Sequence, residues 1–462
     1  MKPVLPVQAE DLLFRRIARR IVPLLFTCYL VAFLDRVNVG IAQLQMSQSL
    51  GLSAAQYGLA AGLFFLPYAL LEIPSNLWFE RIGARLTLLR IMVLWGLTAS
   101  ATMFVRGPAQ FFALRMLLGA FEAGFFPGVI LYLSYWFPSR YRARTTSAFW
   151  VGSVAAGAVS GPLFGSIMTG LDGVAGLQGW QWVFLLAGAP ACMLGVICYF
   201  WLDDRPQDAR WLSAQDKAML EEAHRADHLA LHATDAARGE AAARPFAVIR
   251  DPMIYALTLI YFAGSCGGFT MNFWLPAMIR DTGVTSTTTI GWLAAIPAVA
   301  GIVGALVLSY SSDLRLERRY HLAGCLAAGA LGLVGTLLWK GGPTALLVAF
   351  SFASVGIFGS MALFWSLPSS YLPRSQAALG IAVINTLGIS AGFFCPSILG
   401  FVKTMTGSVS PAIALFAFLL AVGCYLTIFV VPERAMAMSR REISEDANLG
   451  LPANGSSPAE RA

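Results

Sequence analysis

Asn76-Leu-Trp-Phe-Glu80-Arg81-Ile-Gly83-Ala-Arg85 is a short charged loop between two apolar runs. A second version, Ser309-Tyr-Ser-Ser-Asp313-Leu-Arg315-Leu-Glu-Arg318, places its acid 233 residues further on. Two more pairs keep that spacing: Gly161-Pro162-Leu-Phe-Gly165 with Cys395-Pro396-Ser-Ile-Leu-Gly400, and Trp136-Phe-Pro138-Ser-Arg140 with Tyr371-Leu-Pro373-Arg374. The paired prolines stand 234 and 235 residues apart. Self-similarity at one fixed period marks a repeated structural unit, so the chain reads as two parallel halves.

The composition says what kind of halves. Of 462 residues, 57% are hydrophobic and only 12% charged, with a mean hydropathy of +0.67. That is too apolar for average soluble usage and defines an integral membrane protein. The net charge of +7 falls in short clusters between apolar runs, which sets topology and leaves no basic face for nucleic acid. The seven cysteines, Cys28, Cys192, Cys198, Cys266, Cys325, Cys395 and Cys424, lie in apolar segments without a close pair. This argues against a disulfide framework or a thiolate metal site. No Cys constellation or phosphate-gripping glycine loop supports an enzyme or a cofactor, since Gly264 to Gly268 lies inside an apolar run where close packing explains it.

Apolar runs of about 20 residues, enough to cross the hydrocarbon, number twelve, six in each half. The expected architecture is all-α: twelve transmembrane helices in two pseudo-symmetric six-helix bundles, at 21–202 and 252–431. Residues 1–20 read as a cytoplasmic arm, 203–251 as a cytoplasmic central loop, and 432–462 as a disordered cytoplasmic tail. Lys and Arg agree: with both termini inside, the inner connections hold Arg81, Arg85, Arg90, Arg140, Arg142, Arg144, Arg315, Arg318 and Arg319, the outer ones only Arg106, Arg280, Lys340 and Lys403. Ser53-Ala-Ala-Gln56 has the pattern of a capping box, and prolines recur within the runs, where they predict kinks. In the central loop, Trp211-Leu-Ser213-Ala-Gln-Asp216 opens an amphipathic helix. His224, His228 and His232 share one face of it, as a solvated surface or, alternatively, as metal ligands.

Charges inside the spans point to the site. Asp35 and Arg36 interrupt the first run, with Asn38 beside them; Arg115 and Glu122 interrupt the fourth, seven residues and two helical turns apart, with Gly119 between. Ionisable groups at bilayer depth are expensive and mark ion or substrate pathways, although a neutralised pair could simply lock packing. Asp35 and Glu122 balance Arg36 and Arg115, so an added organic anion leaves an excess negative charge that a proton removes.

The motifs carry a resemblance. Glu80, Arg81, Gly83 and Arg85 meet the loop signature G-x-L-x-D-R-x-G-R-R of the major facilitator superfamily, with Asn76 in place of its first glycine and Ala84 in place of one basic residue. L-D-R-V-N at Leu34 to Asn38, E-I-P-S-N at Glu72 to Asn76 and R-x-x-x-G-x-x-E-A-G-x-x-P-G at Arg115 to Gly128 resemble its anion:cation symporters, above all bacterial permeases for tartrate, phthalate and 4-hydroxyphenylacetate. The resemblance implies uptake of a small organic carboxylate with protons, by a monomer in the bacterial inner membrane. It matches Asp35 and Glu122 to proton-carrying acids and Arg36 and Arg115 to substrate-binding arginines. Tyr68, Trp365 and Asn385 match substrate contacts, Asn272 less well, and the loop residues with Asp313 match a gate. A proton-coupled efflux carrier and a non-transporting receptor are the alternatives.

Overall fold

The computed structural model describes residues 7–237, 245–315, 317–338, 341–372 and 374–432. Residues 1–6 of the arm and the tail from 433 on lie outside that set. Among the described residues the regular structure is entirely helical, and twelve helical rods are long and apolar enough to cross a membrane. In the first half the crossings are α1 (Val7–Ser49), α2 (Ala54–Leu63) with α3 (Phe65–Ile82), α4 (Ala84–Ala101), α5 (Pro108–Glu122) with α6 (Phe125–Trp136), α7 (Ser139–Gly170) and α8 (Gly179–Trp201). Helix α9 (Ala214–Ala237) belongs to the central segment. The second half follows with α10 (Pro252–Asp281), α11 (Thr287–Arg315), α12 (Arg319–Leu338), α13 (Gly342–Phe364) with α14 (Ser366–Tyr371), α15 (Arg374–Ile389) with α16 (Ala391–Thr406), and α17 (Ser410–Phe429).

Four crossings are split in two, and three splits have the same cause. Pro67, Pro127 and Pro368 lack the N–H that would bond four residues back, and their rings crowd that carbonyl. The helices part at Leu63/Phe64, at Ala123/Gly124 and at Phe364/Trp365. The other prolines inside spans, such as Pro162 and Pro276, stay within continuous helices. The capping box at Ser53 and Gln56 is formed and starts α2.

Because the number of crossings is even, both described ends lie at one end of the bundle, called here the terminal end. The first helix differs from the sequence reading: the expected arm is the start of α1, whose 43 residues run about 64 Å, twice the hydrocarbon thickness. Its first turns are held down by Phe14 stacked on Tyr141 at 4.3 Å, and by Arg20 over Trp201 and Trp211 at 4.6 and 4.9 Å. Helix α9 docks there. Arg16 pairs with Asp216 at 2.6 Å, Asp227 accepts from the N–H of Ser139 at the start of α7 at 3.0 Å, and Trp136 stacks on Trp211 at 5.8 Å. Burial would raise the Asp216 carboxyl, but the hydroxyl and N–H of Ser213 and the Arg16 guanidinium outweigh it and hold it below the usual carboxylate range. The histidine spacing falls on this helix, while the side chains of His228 and His232 lie outside the described set.

The halves meet at the far end, where α2 packs along α16 and α7 along α11. The approach is backbone to backbone: a Cβ on Gly161 would lie 2.3 Å from the Gly291 carbonyl oxygen, and one on Gly291 2.1 Å from that of Gly161. Only residues without side chains permit that distance. Hydrogen bonds join the halves at this end, from Ala55 N–H to Thr404 at 2.9 Å, from Tyr57 to the Phe273 carbonyl at 2.9 Å, from Thr288 to the Gly165 carbonyl at 3.2 Å and from Arg280 to the Leu44 carbonyl.

Within each half the repeat is visible in one latch. Arg85, at the start of α4, donates to the Tyr199 carbonyl near the end of α8 at 2.7 Å. Arg319, 234 residues later at the start of α12, donates to the Ile428 carbonyl near the end of α17.

Candidate functional site

Asp35 and Arg36 are adjacent on α1, so their side chains diverge by about 100°, and each finds a different partner. Asp35 is fully buried and turns toward α4, accepting from the Trp95 indole N–H at 2.7 Å and from the Asn38 amide at 2.9 Å. Arg36 turns toward the break between α2 and α3. It pairs with Glu122 of α5, and its guanidinium lies 5.2 Å from the ring centres of both Phe64 and Tyr68. Tyr29, one helical heptad earlier on α1, stacks with Phe149 at 4.4 Å beside them.

Arg115 does not pair with Glu122 along their common helix. It is 1% exposed, donates through Nε to the Ala60 carbonyl at 3.3 Å, and its guanidinium lies 5.2 Å from the ring centre of Phe64. Both its terminal nitrogens are buried without a hydrogen-bond partner among the described residues. The proline breaks build this geometry. At the Pro67 break the Phe64 carbonyl presses so near α5 that a Cβ on Gly119 would sit 2.0 Å from it. At the Pro127 break α5 ends on Glu122, where the last carbonyls of the helix oppose a negative charge and the carboxylate leans on Arg36. Of the four charged groups only Arg36 reaches open space, with 17% of its side chain exposed against 2% for Glu122.

Among the described residues the second half supplies no charge to this cluster. Trp365 sits at the α13/α14 break against Tyr261, ring centres 4.9 Å apart, and Asn385 is half-buried on α15. Asn272 presents its backbone: a Cβ on Gly40 would stand 2.1 Å from its carbonyl oxygen, so it belongs to the far-end closure. The loop residues lie at the terminal end, away from the cluster. Gly83 takes φ +85° and would collide with Asp204 if it had a side chain, and Asp204 accepts from the Arg85 N–H at 2.9 Å. Glu80 and Arg81 are exposed, and Asp313 pairs with Arg318 at 3.7 Å. Trp95, Phe64 and Asp204 escaped the sequence reading. A buried indole needs an acceptor, and that rule could have linked Trp95 to the nearby acid.

A bundle of two repeated halves, packed backbone to backbone at one end and holding buried charged groups, among them the Arg36–Glu122 pair, within its spans, is the architecture of an alternating-access membrane transporter. The chain belongs to the Major Facilitator Superfamily, whose family model matches residues 25–396. A relative from Agrobacterium vitis named "Putative tartrate transporter" is 38% identical over 94% of this chain and 95% of its own length. One from Pseudomonas putida, named "Putative metabolite transport protein NicT", is 41% identical over 90% and 94%. The quinolone resistance transporter of Acinetobacter baumannii is 36% identical over 96% and 99%. Among solved structures, the xylose transporter XylE of E. coli superposes with a TM-score of 0.71 at 15% identity over 90% of this chain and 98% of that one. The chain is therefore a transporter, not an enzyme.

Proposed function

We propose that this transporter is a proton-coupled symporter that takes up a small organic carboxylate across the bacterial inner membrane, as a monomer with both termini, the central segment and the tail in the cytoplasm. The two six-helix halves rock against each other, and with that orientation the structure is inward-facing. The observation that carries the reading is the Arg36–Glu122 pair, in which the cation is accessible and the anion is not. A substrate carboxylate can take Arg36 by two parallel hydrogen bonds. Glu122 is then a buried charge without its partner, which costs several kcal/mol unless it takes up a proton. Substrate and proton thus arrive together. Asp35, held by Trp95 and Asn38, is the second acid, and Arg115 stabilises both acids electrostatically. Tyr68, Trp365 and Asn385 contact the organic part of the substrate, and Glu80, Arg81, Gly83, Arg85 and Asp313 gate the terminal end. The names of the tartrate and metabolite transporters among the relatives support an organic anion.

The test is a thermal-shift screen of purified protein against tartrate, phthalate, 4-hydroxyphenylacetate and sugar acids, since a bound ligand stabilises the fold. Arg36→Lys keeps the charge but not the paired donors, and should weaken binding of the hit about tenfold, ~1.4 kcal/mol. Stabilisation by none of these anions counts against the reading. The quinolone-resistance relative favours a second one, proton-coupled efflux. Norfloxacin extrusion from cells expressing the chain, without carboxylate uptake, would establish that instead. A receptor would bind without counterflow in proteoliposomes.

A further inference from the structure

One unassigned feature is a cavity of about 560 Å³ at the terminal end, between the start of α1 and the start of α7. Its floor is apolar, with Phe14, Val22, Phe137 and Ala148. Its rim carries the guanidiniums of Arg15, Arg19 and Arg144, all exposed. Among the described residues none of the three has an ion-pair or hydrogen-bond partner, in contrast to their neighbours Arg16 and Arg142, which are paired with α9. The one carboxylate on the rim, Asp11, is occupied by the Tyr141 hydroxyl at 2.5 Å. Three positive charges, against Asp11 and the neighbouring Glu10, leave a net positive rim over an apolar floor, which makes a site for an amphipathic anion.

Helical phase says where this cavity leads. Arg15, Val22, Tyr29 and Arg36 recur every seven residues on α1, so they form one stripe along its length. The stripe runs from the rim to the accessible guanidinium of the central site, about 31 Å along the axis, and is packed at Tyr29 against Phe149. We propose that Arg15, Arg19 and Arg144 form a vestibular anion site, which gathers the carboxylate substrate at the mouth and so raises the frequency with which it reaches Arg36. The proposal rests on the anion-carrier reading above. At 0.1 M salt 31 Å is about three Debye lengths, so the vestibule sets how often an anion reaches Arg36 and not how tightly Arg36 holds it.

The test does not depend on knowing the substrate. A fluorophore attached through Ser147→Cys, an exposed position beside Arg144, is quenched by iodide and, separately, by neutral acrylamide, with the unmodified chain labelled in parallel as background. At low ionic strength in neutral detergent, the iodide-to-acrylamide quenching ratio should fall about threefold or more when the three arginines become glutamine, because a local positive potential concentrates anions. It should survive in the triple lysine variant and in Arg36→Lys, and collapse in wild type at high salt. Arg144→Gln alone gives a partial drop and serves if the triple variant does not fold. An unchanged ratio in the glutamine variants overturns the proposal. So does a wild-type ratio that falls to the glutamine value in nanodiscs containing phosphatidylglycerol but not in phosphatidylcholine, since a lipid phosphate would then own the rim. If the ratio behaves as expected while no anion protects the central site, the carrier reading fails and the vestibule stands.

Discussion

Gly291→Ala is the perturbation whose cost can be worked most directly from the packing. The new Cβ would meet the Gly161 carbonyl oxygen at 2.1 Å and its carbon at 2.7 Å, more than 1 Å inside ordinary contact, and both obstacles are backbone. Helices α7 and α11 must separate, which for an overpacked contact costs about 1 to 3 kcal/mol. That cost falls on the state closed at the far end, because the two helices part when this end opens. The equilibrium between closed and open should therefore move toward far-end-open by about 5- to 150-fold. Ser397, whose hydroxyl lies against Gly62 in the separate α2/α16 seam, is the reporter: Ser397→Cys, labelled by a membrane-impermeant maleimide from the far side, should react faster by a comparable factor in the Gly291→Ala background. Gly268→Ala, where an added Cβ meets nothing within 4 Å, is the control. Equal labelling rates with and without Gly291→Ala would refute the claim that these glycines hold the far end shut.

Trp95→Phe removes the indole donor from buried Asp35 and should cost about 1 to 3 kcal/mol, read as a lower unfolding temperature in detergent; an unchanged temperature would show that the bond is dispensable. The Asp216 carboxyl is held below its usual range by Ser213 and Arg16, so the docking of α9 is fully supported above about pH 4 and weakens as pH falls through the lower folded value. Hydrogen exchange in α9 should rise over that acid window and lose this dependence in Asp216→Asn. Single cysteines at Ser213 and at Val174, which is 46% exposed on the opposite connection, should label from opposite sides of the membrane, and same-side labelling would contradict the topology.

Much of the architecture was legible because a bilayer simplifies the physics. Every backbone group must be satisfied within a helix, so run length and the 233- to 235-residue repeat define twelve rods in two halves. Prolines within the runs predicted kinks, but which ones break a helix was not legible: the helices part at Pro67, Pro127 and Pro368 and run on through Pro162 and Pro276. What spacing could not show is pairing between helices. Arg115 and Glu122 share a helix, yet Glu122, the last residue of α5, pairs with Arg36 on another. The partner of Asp35 is likewise 60 residues away, at Trp95. The arm showed a third gap: residues 1–20 read as an arm separate from the first span, whereas Phe14 and Ile17 bury one face and carry the helix back to Val7.

Glu122→Gln in proteoliposomes tests the central claim, that substrate takes Arg36 as a proton takes Glu122, so that the two together relieve one buried pair. Glutamine keeps the shape of the side chain and cannot hold Arg36 by charge. Counterflow of the labelled carboxylate identified in the thermal-shift screen should therefore persist, with binding at least as tight as in wild type. Accumulation driven by an inward proton gradient should be lost. If the variant still concentrates substrate, and a protonophore still abolishes that uptake, Glu122 is not the obligatory coupling acid, and the mechanism built on its pair with Arg36 is wrong.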